Sequence, residues 1–310
     1  MTTGRFLRRA AAVAIGLVLD ACSGPQPIAD ELAPREVAPS ALRADRAPVA
    51  LVLSGGSARG FAHLGVLKVL EENGFEPDLI VGSSAGALVG ALYASGMPVR
   101  DIDEALAGLE MSDLGSVLWP RLGAIPGALG FVSGDKLRKY VASRLPMRRI
   151  EAFPRRFAAV ATDVDTGEPI AFNTGDAATA IEASMAVPVV YAPVPIAGRR
   201  FVDGQVASPV PVQAARRLGA RRVIAVDVIY PPQDSSLTSP LRVLFQAFLI
   251  STYRVREMQL READLVIAPR IRSTSGQMGL GERERLIAAG EEATRAALPE
   301  LRALLEQGAR

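Results

Sequence analysis

Two short apolar runs, VALVL at 49–53 and DLIVG at 78–82, constrain the fold of this chain more than any other feature. The first leads into the glycine-rich loop SGGSARG, after which Phe61, Leu64, Leu67 and Leu70 mark one face of a helix that stops at Gly74. The second runs straight into SSAG and a further helix to about Ser95. Strand, loop, helix and strand in that order make a βαβ unit, whose strands lie parallel and whose sheet needs helices on both faces. The predicted class is α/β, a sheet layered with helices.

The rest of the chain extends the same pattern. RFAAVATDVDTGEPIAFNTG predicts two strands joined through an Asp165-Thr166-Gly167 turn, RRVIAVDVI (221–229) a buried strand, and ADLVIAPRI (263–271) the last one. A final helix is expected over roughly Glu282 to Gln307, and PPQDSSLTSP (231–240) reads as a polar surface loop. The segment MSDLGSVLWPRLGAIPGALG (111–130) fits neither helical nor strand period and reads as an irregular lid or lining. With 310 residues, 49% of them hydrophobic, one large domain over 47–310 can bury a full core.

The N-terminus has a different character. Arg5, Arg8 and Arg9 precede a short apolar run from Ala10 to Leu19, and small residues follow around Cys22, which is the layout of a signal peptide over 1–21. That run is about half the length of a membrane span. Cys22 is the only cysteine, so it has no internal disulfide partner, and LDAC resembles the lipobox of bacterial lipoproteins, whose cysteine is lipidated. Asp20 departs from the small or apolar residue usual there. The expectation is export, with Cys22 as a lipid anchor on a bacterial membrane facing the periplasm or cell exterior, and ordinary cleavage as the alternative. Residues 22–46, rich in Pro, Ala and charge, read as an extended tether. Losing the leader removes three arginines and Asp20, which takes the formal charge from +2 to zero. A neutral chain gives no general argument for a nucleic-acid partner.

Gly82-Ser83-Ser84-Ala85-Gly86 matches GxSxG, in which flanking glycines let a strand turn sharply into a helix while the serine hydroxyl projects outward. The helix N-terminus beneath Ser84 would favour developing negative charge. Gly55, Gly56, Ser57, Ala58, Arg59 and Gly60 form the other glycine-rich loop, where successive N–H groups converge on an anion, either an oxyanion or a phosphate. A phosphate site lacks support, because no Walker lysine follows and the glycine spacing is not that of a dinucleotide loop. A tight strand-to-helix connection is the plain alternative.

The single histidine, His63, precedes Ser84 and sits in the first turn of a helix, where a structural role fits better than that of a base. Among carboxylates, Asp203 follows a short strand and precedes Gly204, which places it at a sheet edge facing a cleft or simply in a turn.

Taken together, GGSARGFAHLGVL, GSSAG, TDVDTGE, ASMAVPVVYAPV and FVDGQVASPVPV, in that order, resemble the patatin-like phospholipases over the chain from about Ala47 onward. The resemblance implies a patatin-like three-layer sandwich with a mainly parallel central sheet and a nucleophile elbow. It implies a serine acyl hydrolase with Ser84 as nucleophile, Asp203 as base without histidine, and the Gly55–Gly60 loop as oxyanion hole. A phospholipid or other acyl-ester lipid is the implied substrate, with no metal or organic cofactor needed. Ser57 stands where the family usually has a third glycine, and Gln205 follows Asp203-Gly204 where glycine or alanine is usual. The rival reading is a lipoprotein that keeps the fold as a lipid-binding or scaffolding module.

Overall fold

In a computed structural model, which describes residues 30–38, 48–107, 134–188, 190–232, 239–271 and 280–306, the two apolar runs are neighbouring parallel strands. β1 (Val49–Leu53) pairs with β2 (Leu79–Ser83), Leu51 opposite Ile80. The crossover between them is α1 (Phe61–Glu72), and α2 (Ala85–Ala94) leaves β2. After α3 (Val99–Ala107) and α4 (Asp135–Arg144) comes β3 (Phe157–Asp163), parallel to β2. β4 (Pro169–Phe172) returns antiparallel along β3 through the expected turn, with Gly167 at φ +77°. Then follow α5 (Ala177–Ser184), the antiparallel pair β5 (Val194–Ile196) and β6 (Arg199–Asp203), and α6 (Val212–Arg217). β7 (Arg222–Val226), α7 (Pro240–Leu260), β8 (Leu265–Ile267) and α8 (Leu280–Glu306) complete the order.

The strands lie in the order β5-β6-β3-β2-β1-β7-β8, with β4 also on β3. β3, β2, β1, β7 and β8 are mutually parallel, and β6 is antiparallel to β3. Strand alternation explains the layers. Leu51 and Leu53 point into a core with Leu64 and Leu67 of α1, Leu88 and Leu92 of α2, and Leu286 of α8. Ala50 and Val52 point the other way, against Val212, Ala214 and Ala215 of α6. Both faces are covered, so the expected three-layer sandwich with a mainly parallel sheet is the architecture observed.

Close backbone approach fixes how α1 and α8 cross. A Cβ on Gly65 would lie 1.9 Å from the Ile287 carbonyl oxygen, and one on Gly290 would lie 2.0 Å from the Ala62 carbonyl oxygen. The two helices thus meet glycine to backbone on each side, and neither position has room for a side chain.

Three expectations need revision or fall elsewhere. Residues 30–38, read as part of an extended tether, lie against the folded domain: Arg35 bridges Thr174, the Glu36 carboxylate accepts from Ala171 N–H at 2.7 Å, and Ala33 is buried. A free strand edge at β4 offers unpaired backbone groups, and this stretch satisfies some of them. The last two residues of the expected 231–240 loop belong to a helix instead, since Ser239 caps α7 and Pro240 opens it, while 233–238 lie outside the described residues. The leader, Cys22 and the 111–130 segment lie outside the described residues.

Candidate active site

β2 ends at Ser83, and the chain turns into α2 through Ser84 at φ +52° and ψ −123°. L-residues other than glycine rarely adopt that conformation. What permits it is the space around the two flanking glycines. A Cβ on Gly82 would meet the Gly86 carbonyl oxygen at 2.3 Å, and one on Gly86 would meet the Leu53 carbonyl oxygen at 2.3 Å. Hence GxSxG is required by packing, and Ser83 and Ala85 simply continue the strand and helix it joins. Ser84 N–H donates to Ser184 Oγ at 2.9 Å, while its carbonyl accepts from Ala87 at the start of α2. Ser84 is 4% exposed.

Asp203 is the last residue of β6 and is 0% exposed. Its Oδ2 accepts from Ser84 Oγ at 2.8 Å, and its Oδ1 accepts from Gln205 N–H at 2.8 Å. It is therefore both a turn residue and the partner of the serine, and the two sequence readings of Asp203 are compatible. A Cβ on Gly204 would sit 2.2 Å from the Val160 carbonyl oxygen, so the residue after Asp203 must be glycine for the turn to press against β3. Burial pushes the Asp203 carboxyl up to about 7, against the lowering effect of the Gln205 and Ser84 hydrogen bonds.

The Gly55–Gly60 loop stands beside this pair, since a Cβ on Gly60 would lie 2.9 Å from Ala85 Cβ. Not all of its N–H groups can serve as expected. Gly55 N–H donates to the Pro209 carbonyl at 3.0 Å, and Arg59 N–H donates to the Gly56 carbonyl at 3.1 Å. Both are engaged within the protein, a correction to the six-residue oxyanion loop read from sequence. Ser57 and Ala58 open the short 3₁₀ turn over Ser57–Gly60, where N–H groups have no acceptor within the turn. Ser57 has φ +52°, which gives the family's usual glycine at this position a physical reason. Ser57 and Ser84 are two of the three non-glycine residues with positive φ among the described residues.

Next to the loop opens a cleft of about 170 Å³ lined by Gly56, Ser57, Arg59, Gln205, Tyr230 and, from α7, Phe245 and Phe248. The sequence reading had no helix at α7 and looked to 111–130 for such a lining. The Gln205 side chain packs on Gly55, where a Cβ would meet its Cδ at 2.3 Å. Gln205 therefore takes the space that a glycine or alanine there would leave open.

His63 is fully buried, and its Nε2–H donates to the Ser54 carbonyl at 2.9 Å, the donor role being dictated by the carbonyl acceptor. Its Nδ1 has no hydrogen-bond partner among the described residues. Burial pulls the ring down to about 4, so it is neutral near pH 7. Ser54 in turn donates its Oγ–H to the Gly55 carbonyl and accepts from Val228 N–H, so His63 buttresses the root of the glycine loop.

This three-layer fold is also found in a known structure. The chain superposes on VipD of Legionella pneumophila with a TM-score of 0.51, covering 91% of this chain and 72% of that one at 15% identity, which is a likeness of fold. The family model for patatin-like phospholipase matches residues 51–216, and the chain belongs to that family. An uncharacterized NTE family protein of Mycobacterium bovis is 34% identical over 194 residues, 62% of this chain and 52% of that protein. The human patatin-like phospholipase domain-containing protein 6 is 32% identical over 182 residues, 58% of this chain and 13% of that protein. This chain therefore spans about half of the mycobacterial relative and a small part of the human one.

Proposed function

We propose that this protein is a serine acyl hydrolase of lipid esters that works through a Ser84–Asp203 dyad, and that Cys22 anchors it to a bacterial membrane as an exported lipoprotein. The observation that carries the dyad is the 2.8 Å hydrogen bond from Ser84 Oγ to Asp203 Oδ2, in a chain whose single histidine is bonded to a backbone carbonyl. Membership of a patatin-like phospholipase family and the aromatic lining from α7 support an acyl-lipid substrate.

A carboxylate is an inefficient base for a hydroxyl unless its proton affinity is raised and water is kept out. Burial of Asp203 does both. In this scheme Ser84 Oγ attacks the ester carbonyl as its proton passes to Asp203 Oδ2, and loop N–H groups at Ser57 and Ala58 stabilise the oxyanion. The tetrahedral intermediate collapses, the alcohol leaves with the proton from Asp203, and the acyl chain remains on Ser84. Water then attacks the acyl-enzyme, its proton going to Asp203, and the fatty acid leaves as the proton returns to Ser84.

A fluorophosphonate tests this directly. Mass spectrometry should find the label on the Ser84 peptide, and Ser84→Ala should neither label nor hydrolyse p-nitrophenyl butyrate. Label on Ser57 or Ser83 with an active Ser84→Ala protein would overturn the assignment.

A further inference from the structure

We infer that Ser184 is a positioning residue for the nucleophile, holding the backbone of Ser84 in the conformation that aims its hydroxyl at Asp203. The inference rests on the dyad reading and adds a residue to it.

Ser184 closes α5 and is 0% exposed. Its hydroxyl has two bonds of opposite sense: it accepts from Ser84 N–H at 2.9 Å and donates to the Val160 carbonyl of β3 at 2.6 Å. It thereby links the turn that carries the serine to the middle of the strand next to β2. The same carbonyl of Val160 is the surface against which Gly204 packs, with 2.2 Å to a hypothetical Cβ. The residue next to Val160, Ala161, stands opposite Asp203 in the β3–β6 ladder, and Thr162 donates its hydroxyl to the Asp203 carbonyl at 3.0 Å. Three consecutive residues of β3 thus set the height of Asp203, and Ser184 refers Ser84 to the first of them, Val160. The 2.8 Å contact between Ser84 and Asp203 is a consequence of that shared reference.

Two physical arguments make Ser184 more than filler. First, Ser84 cannot rest at φ +52° unless its N–H, which points away from the α2 ladder, finds an acceptor. A buried N–H left without one costs about 1–3 kcal/mol, enough to favour a relaxed turn that withdraws the hydroxyl. Second, the N–H of Ser84 is committed to Ser184, so it is not an oxyanion donor, and that duty stays with the glycine loop. Among the described residues the Ser184 hydroxyl bonds to backbone groups of Ser84 and Val160 and not to Ser84 Oγ or Asp203, so it acts through Ser84.

The test compares Ser184→Ala with Ser184→Thr, which restores a hydroxyl, in the full chain. Thermal melts check that both fold. Ser184→Ala is expected to lower the fluorophosphonate labelling rate and kcat for p-nitrophenyl butyrate by about 5- to 150-fold, following the 1–3 kcal/mol range. KM should stay within about twofold and the acid limb of the pH profile should stay in place. Ser184→Thr should recover most of the rate. Hydrogen exchange by mass spectrometry supplies a readout that needs no catalysis: the 83–85 amides should exchange faster in Ser184→Ala. Should the wild-type protein fail to label or hydrolyse, the dyad reading fails while the exchange result still decides the role of Ser184. Equal labelling rates and unchanged exchange in a folded Ser184→Ala protein would overturn the inference. So would a loss in KM alone, or a folded Ser184→Thr protein as slow as the alanine variant.

Discussion

Replacing Asp203 by asparagine should slow the reaction by orders of magnitude and at the same time make the protein more stable, by an amount that grows with pH. Asp203 is fully buried, and burial pushes its carboxyl from an ordinary 3.8 up to about 7. Below about pH 4 the folded and unfolded chains both hold its proton, and between about 4 and 7 only the folded chain does. The folded state therefore loses stability as pH rises across that window and regains none above it. At about 1.36 kcal/mol per pH unit, the displacement from 3.8 to about 7 is worth about 4 kcal/mol above pH 7. Asparagine is neutral throughout and can still accept from Gln205 N–H, so the variant escapes this cost. For a domain of this size, about 2–3 °C per kcal/mol turns the difference into a melting temperature higher by about 8–12 °C at pH 8 and little changed at pH 4.5. Glu182, which burial also pushes up to about 7, titrates in both proteins and cancels in the comparison. The assay is a pair of thermal melts from pH 4.5 to 8.5 alongside p-nitrophenyl butyrate hydrolysis. Wild-type activity should rise through pH 7 as Asp203 ionises, and the variant should be slower by about 10²–10⁴-fold. Melting curves that stay a constant distance apart at every pH, or a variant with wild-type kcat, would refute the reasoning.

Three further outcomes follow from other parts of the molecule. His63→Asn should keep kcat within about tenfold, because the ring gives one hydrogen bond to a backbone carbonyl, worth about 1 kcal/mol; a folded variant as inactive as Ser84→Ala would make His63 the base. Gly65→Ala should lower the melting temperature sharply, by about 3 kcal/mol or more in denaturant titrations, since its methyl would fall 1.9 Å from a backbone oxygen of α8 that no rotamer change can move. Cys22→Ser should release the protein from the membrane fraction or leave an uncleaved precursor, read by fractionation and intact mass; a processed, membrane-bound variant would end the lipid-anchor proposal.

The parts of the fold that could be read in advance are those where one residue pattern has one physical cause. Leu51 and Leu53 sit in a strand buried on both faces, so an unbroken apolar run was enough to place β1, and Gly82 and Gly86 announced the elbow because no other residue fits their contacts. α5 and α7 escaped for opposite reasons. AATAIEAS is buried on every side with small residues and shows no stripe, whereas the first half of α7 carries Val243, Leu244 and Ile250 in the open and Phe245 and Phe248 at the cleft, apolar all round. Periodicity carries no signal in either case. Asp203 could be named only through its motif, since an aspartate before glycine looks the same whether its second oxygen meets water or Ser84. Ser184 lies inside the ASMAVPVVYAPV motif, but nothing in that motif tells what its hydroxyl meets, because the partner is an N–H 100 residues away.

The turn at Ser84 has an evolutionary consequence. Serine at φ +52° stores about 1–3 kcal/mol of strain that glycine would not, and Asp203 adds a buried carboxylate that asparagine would relieve. Selection for folding alone therefore slopes away from both reacting residues at once. A duplicate of this chain released from its chemical task would drift toward glycine at 84 and asparagine at 203 while becoming sturdier. Silent members of such a lineage would outlast active ones in heat, and the presence of both residues in this chain is what the proposed Ser84–Asp203 chemistry requires.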